Sequence, residues 1–194
     1  EKISVTGSRI KRDSFSSTAP IVSLDGMAIE DSGLGEIGEI LSEELPAISV
    51  GTSNTNSQSS VQNTGLSTVN LRGLGTDRTL TLIDGRRTVS NSYSGNYVSL
   101  NTIPAAMVQK VETITGGASA IYGSDAIAGV VNIITQSSKD GFEFNVRGGQ
   151  STEGGNKEFT LDSGYGTSFD DERGYIYAAV SWDRNFGLAY ADRY

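Results

Sequence analysis

The strongest constraint on the fold is a period-2 alternation that fills the last third of the chain. In "FEFNVR", Phe142, Phe144 and Val146 alternate with Glu143, Asn145 and Arg147. In "EFTLDSGYG", Phe159, Leu161 and Tyr165 alternate with Glu158, Thr160 and Asp162. In "YIYAAVSW", Ile176, Ala178, Val180 and Trp182 share one parity. Successive side chains of a strand point to opposite faces, so each segment makes a strand with one apolar and one polar side. "STEGGNK" and "TSFDDERG" separate the three and are rich in turn-forming residues. The expectation is an antiparallel meander of strands roughly ten residues long. On periodicity alone, a membrane barrel wall and a β-sandwich fit it equally well.

Composition narrows the chemistry. Glycine is 24 of 194 residues and hydrophobic residues are 36%, which suits short strands and many turns better than a helical bundle. The net charge of -8 argues against a nucleic-acid partner, which needs a basic face. The chain has no Cys and no His. That removes thiol catalysis, disulfides, the commonest general base and the commonest metal ligand, and no cofactor is expected. A carboxylate-pair hydrolase, using for instance Glu112 and Asp125, stays open. No apolar run approaches the roughly 18 residues of a membrane-spanning helix, whereas a spanning strand needs only about 10.

Ahead of the meander the texture is mixed. "EKISVTGS" alternates Ile3 and Val5 with Ser4 and Thr6, then gives way to the polar "RIKRDSFSSTAP". It has little to pack against locally and reads as a frayed terminus or edge strand. Ile21 to Leu24 reads as a short strand and Asp25 to Asp31 as one or two helical turns. Gly35 to Leu45 is the best helix: Ile37, Ile40, Leu41 and Leu45 form one apolar stripe, Glu36, Glu39, Glu43 and Glu44 form the solvated side, and Pro46 stops it. Gly51 to Ser67 is polar and of low complexity, a loop whose Asn, Gln and Ser offer many neutral hydrogen-bonding groups. Thr68 to Leu71 and Arg78 to Ile83 read as strands around "RGLGTD". "GLG" matches part of a dinucleotide fingerprint, but the third glycine is missing and no helix follows. "IDGRR" predicts a type I′ hairpin. Ser90 to Asn101 is a second polar loop, with Tyr93, Asn96 and Tyr97. Pro104 to Met107 suits a helical turn. Val111 to Ile114 and Gly129 to Ile134 are apolar strands expected to pair or neighbour, with Ile121 and Val130 in a small core between them.

Three of these stretches, in order and at this spacing, resemble the plug domain of TonB-dependent outer-membrane receptors: "VNLRGLG", "RTLTLIDGRR" and "VETITGGASAIYGSDAIAGVVNIITQ". The resemblance covers about Glu1 to Gln136, and the meander then resembles the first strands of the barrel around the plug. It implies an α+β plug domain with a small mixed sheet, followed by antiparallel β-strands of a truncated outer-membrane β-barrel. The domains would be 1–19, a TonB-box segment and linker; 20–137, the plug; and 138–194, the first barrel strands. "EKISVTG" is similar to the TonB box, which gives Ile3, Ser4, Val5 and Thr6 the role of pairing with TonB. Arg72 matches the family's plug arginine, which faces carboxylates of the barrel wall, and Arg86, Arg87 and Glu112 join it as expected plug–barrel contacts. Where the common pattern reads "EVLRGP", Thr115 stands for the arginine and Gly117 for the proline, so of the two arginines only Arg72 carries over. The "TGGASAIYGSDA" variant resembles a branch that includes receptors for sugars and other non-siderophore ligands.

The function so implied is the plug region of an active transporter in the outer membrane of a Gram-negative bacterium. Its partners would be TonB, a small-molecule nutrient (siderophore, sugar or similar) and outer-membrane lipid, with no nucleic acid and no enzymatic activity. Tyr93, Tyr97 and Asn96 are the expected ligand contacts, since exposed phenols stack on a sugar or a planar chelate. Small residues in the glycine-rich connector would let the plug pack closely inside the lumen. Barrels with a plugged lumen have about 22 strands, so three strands imply part of a longer receptor. The rival reading is a secreted β-rich carbohydrate-binding or structural module.

Overall fold

A computed structural model describes residues 21–32, 36–50, 65–93, 95–116, 118–150, 157–170 and 173–186. The segment with Ile3 to Thr6, and residues 51–64 of the first polar loop, lie outside the described residues. The chain forms two compact units. One comprises Glu1–Thr102 with Val108–Thr135, the other Ile103–Met107 with Gln136–Tyr194.

The first unit is built on a five-stranded mixed sheet. Its strands are β1 (Ile21–Asp25), β4 (Thr79–Ile83), β5 (Arg86–Arg87), β6 (Val108–Ile114) and β7 (Gly129–Thr135), in the order β1–β6–β7–β4–β5. The expected neighbours β6 and β7 pair antiparallel, with Val111 opposite Ile133 and Ile114 opposite Val130. β7 also pairs with β4, in parallel. A strand flanked on both sides and covered on both faces should read as a continuous apolar run. "GVVNII" does apart from the buried Asn132, and Val130, Val131 and Ile133 have no exposed surface. Asp84 and Gly85 join β4 to β5 with φ of 49° and 73°, the pair of positive angles a type I′ turn requires. Asp84 is fixed further by the Thr135 backbone N–H, which donates to its carboxylate at 2.9 Å.

Two helices and a small ladder complete this unit. α1 (Gly26–Asp31) packs on β1 and β6. α2 spans Ile37–Glu44, shorter than the expected Gly35 to Leu45, because Glu36 and Leu45 are its extended caps and Pro46 follows. The stripe Ile37, Ile40, Leu41 and Leu45 is buried. It does not lie chiefly on the large sheet. Its main neighbours are β2 (Ile48–Val50) and the 3₁₀ turn Leu100–Thr102. β2 pairs antiparallel with β3 (Val69–Leu71), forming a ladder the sequence reading missed.

Between β6 and β7 lie a one-turn helix, α3 (Ser119–Tyr122), and a 3₁₀ turn at Ser124–Ala126. The core here is not the expected pair of Ile121 and Val130. Val130 packs with Leu80, Leu82, Ile114, Ala118 and Ala126, with Tyr122 at the edge, while Ile121 is 56% exposed. The cap residue Ala118 and, four positions on, Tyr122 share the face of this single turn that meets the core. At the start of β7, a Cβ on Gly129 would stand 2.1 Å from the Ile114 carbonyl oxygen, and φ is 139°. Only glycine fits there.

The second unit is an antiparallel sheet of β8 (Gly141–Gly149), β9 (Glu158–Phe169) and β10 (Gly174–Asn185), with β9 in the centre. Phe142, Tyr165 and Ala178 lie abreast, as do Val146, Leu161 and Trp182, so the apolar residues of all three strands share one face. That face is open: Phe142 is 70% exposed, and Phe144, Val146, Ile176, Val180 and Trp182 are exposed with it. The polar face is sheltered in the middle of β9. Asp162 is 3% exposed and accepts a 2.6 Å hydrogen bond from the Ser181 hydroxyl, and Thr160 is also buried.

Candidate functional site

The second polar loop is held by its own side chains. Because β5 runs antiparallel to β4, the chain returns to the end of the sheet where Asp77 and Arg78 lead into β4. There the Ser90 hydroxyl accepts hydrogen bonds from the backbone N–H groups of Ser92 and Tyr97, both at 3.1 Å. It can donate to the carbonyl of Gly95 at 2.6 Å or of Ser92 at 2.8 Å. The Asn91 N–H donates to the Tyr97 carbonyl at 2.7 Å, and the Asn91 side chain accepts from the Ser99 N–H at 2.8 Å. Such local bonds fix a loop that has no ladder of its own. The far side is tied to Ser67, whose carbonyl accepts from the Leu100 N–H and whose N–H donates to the Ser99 hydroxyl.

On this frame Tyr93 projects into solvent at 81% exposure, while Asn96 and Tyr97 are half-buried. Gly95 fits between Asp77 and Tyr97, where a Cβ would be 2.6 Å from each. Partial burial, and after it the Asp77 carboxylate alongside, push the Tyr97 phenol above the usual tyrosine range. The loop therefore presents two phenols, an amide and neutral hydroxyls, a surface for stacking and neutral hydrogen bonding. Asp77, which the sequence reading did not single out, is the charge beside it. Only the fold brings residue 77 to residue 97.

The charged candidates sit elsewhere on the first unit. Arg72, at a positive φ of 55°, donates from Nη2 to the Ala128 carbonyl at 2.9 Å. Arg87 forms a 2.6 Å ion pair with Asp125 and also reaches the Tyr122 carbonyl. Glu112 is buried in β6, between Ser23 of β1 and Asn132 of β7, with Lys110 Nζ at 2.8 Å. Arg86 is exposed on β5. Glu112 and Asp125, the carboxylates considered for hydrolysis, stand on different elements and pair with different cations, Lys110 and Arg87.

Residues 13–130, more than half of the chain, match the model of the TonB-dependent receptor plug domain. The chain belongs to this family. It is a family of receptors, not of enzymes.

The chain is also similar to solved receptors. A variant of the ferric enterobactin receptor from Pseudomonas aeruginosa shares 21% identity at a TM-score of 0.62, over 85% of this chain and 25% of the receptor. The siderophore receptor PirA from Acinetobacter baumannii shares 18% at a TM-score of 0.64, over 89% and 25%. The ferric yersiniabactin uptake receptor FyuA from Yersinia pestis shares 22% at a TM-score of 0.56, over 90% and 25%. The chain thus spans about a quarter of the length of the receptors it matches. These likenesses carry the fold, a plug with a small mixed sheet followed by antiparallel strands of a receptor barrel. An open apolar face backed by a polar one is the pattern expected of strands in such a barrel.

Proposed function

We propose that this chain is the plug region and first wall strands of an outer-membrane active transporter. It binds an extracellular nutrient and imports it with energy delivered through TonB. The observation that carries the reading is the reversed burial of β8–β10: apolar residues outward and Asp162 and Thr160 sheltered, beside a domain of the plug family. A secreted sandwich would bury Phe142, Phe144 and Trp182 instead.

In this reading residues 1–19 carry the TonB box and linker, 20–137 the plug and 138–194 the wall strands, in the outer membrane of a Gram-negative bacterium. Ile3, Ser4, Val5 and Thr6 pair with TonB as an added strand. Tyr93, Asn96 and Tyr97 contact the ligand, a siderophore, sugar or similar small molecule. Arg72, Arg86, Arg87 and Glu112 meet the wall. Arg86 is exposed, whereas Arg72, Arg87 and Glu112 already bond to other described residues of the plug.

The test uses the full-length receptor. Proline at Ile3 or Val5 removes a ladder donor from the added strand. Uptake should be lost while ligand binding at the cell surface is kept. Normal uptake in both proline variants would contradict the coupling role. Loss of surface binding as well would point to a misassembled receptor.

A further inference from the structure

One stretch of the plug sequence belongs to the wall. Ile103–Met107 clusters with β8–β10, although Thr102 before it and Val108 after it belong to the first unit. Its 3₁₀ turn, Ala105–Met107, packs on β9 and β10. The Met107 N–H closes the turn on the Pro104 carbonyl at 2.9 Å. The Met107 carbonyl accepts from the Gln136 N–H, also at 2.9 Å, which ties the turn to the chain entering β8.

The wall is shaped to receive this turn. Tyr177 lies across the polar face, and its hydroxyl donates to the Ala106 carbonyl at 2.9 Å. Tyr175 stacks beside it, with ring centroids 6.4 Å apart and planes 15° apart, and bonds to the Lys139 carbonyl. The Tyr177 ring lies over Gly164 and Gly166, and the Tyr175 hydroxyl lies over Gly166. A Cβ at Gly164 would stand 2.1 Å from the Tyr177 hydroxyl. One at Gly166 would stand 2.0 Å from the Lys139 carbonyl oxygen and 2.5 Å from the Tyr175 hydroxyl. Glu143, itself paired with Lys139 at 2.7 Å, is 3.5 Å from the Tyr177 hydroxyl and flanks it. The "GYG" of β9 is thus a slot for two tyrosines, and one of them holds a backbone carbonyl of the plug sequence.

We infer that Ile103–Met107 is an anchored turn that stays seated on the inner wall when the rest of the plug rearranges, with Tyr177 as its positioning residue and Gly164 and Gly166 as the slot that aims it. The inference rests on the reading of β8–β10 as wall. A plug that moves must either carry this turn along or pivot about it. The turn's own hydrogen bonds run to the wall unit, which favours the pivot.

Hydrogen exchange on the full-length receptor in lipid vesicles, at rising urea, tests this without any ligand. The Met107 and Gln136 amides should stay protected at urea concentrations where β4 and β7 have exchanged. Tyr177→Phe keeps the ring and removes one hydrogen bond of about 1 kcal/mol, so those two amides should exchange about fivefold faster with β4 unchanged. Gly164→Ala, which displaces the Tyr177 hydroxyl, should do at least as much. Exchange of Met107 together with β4 in the unaltered receptor overturns the anchor, as does a Tyr177→Phe receptor with unchanged exchange. If β9 and β10 also exchange with the plug, the wall reading itself has failed.

Discussion

β7 and β9 are both central strands, each paired on both sides, yet they treat water in opposite ways. In β7 the apolar run Val130, Val131 and Ile133 is buried on both faces, as in the middle of a water-soluble sheet. In β9 and its neighbours the apolar residues stand together and open, while Asp162 and Thr160 on the other face are closed off. The plug strand hides apolar surface from water. The strands of β8–β10 leave apolar surface open and shelter Asp162 and Thr160, the arrangement proposed above for a wall between lipid and lumen. Alternation in a sequence therefore says which residues share a face, and only the surroundings say which face meets solvent.

The comparison can be broken first at the plug core. Leu80 is buried in β4, and Leu80→Ala should destabilise the plug by about 2–5 kcal/mol. Hydrogen exchange in the full-length receptor should show the loss in β4 and β7 but not in β9. Equal loss in β9 would mean the two regions do not obey separate rules. Next comes the wall. On the proposed reading, Leu161→Arg places a charge toward lipid and costs about 2–4 kcal/mol near mid-membrane, read as reduced assembly of the receptor. Asn145→Arg, on the opposite face, should assemble nearly normally, and similar yields for the two would erase the distinction between faces.

Smaller effects sharpen the account of the loop. Ser90→Ala removes the hydroxyl that gathers Ser92, Gly95 and Tyr97, a loss of about 1 kcal/mol. The Ser92 and Tyr97 amides should exchange about fivefold faster with β4 unaffected. The smallest effect is a titration. The folded-state pKa of Tyr97 lies above its free value. Its contribution to loop stability is therefore present below about pH 10 and is lost as pH rises through the folded value. Asp77→Asn should bring the phenol down part of the way, because burial is the larger cause. Spectrophotometric titration, differenced against Tyr97→Phe, reads it.

Much of this was legible in the chain because local chemistry and the final fold agree. "IDG" takes the φ angles of its turn, and the α2 stripe is buried along its length. The faces of β8–β10 follow from their period. Where sequence reasoning fell short, the deciding partner lies far along the chain. β2 is three residues with no pattern of its own, defined by its pairing with β3 some twenty residues on. Ile121 looks like core until α3 proves to be a single turn aimed by Ala118 and Tyr122. Asp77 gains its meaning from Tyr97. The seat of Ala106 on Tyr177 joins residues 71 apart.

The most direct test of the central claim places spin labels at Phe144 and Leu161 in the full-length receptor in a bilayer. Both residues belong to the open apolar face. The account predicts that both labels are relaxed strongly by a lipid-soluble agent and weakly by a water-soluble one. Labels shielded from both agents would place these side chains in a protein core, contradict the wall, and make β8–β10 part of a water-soluble sandwich.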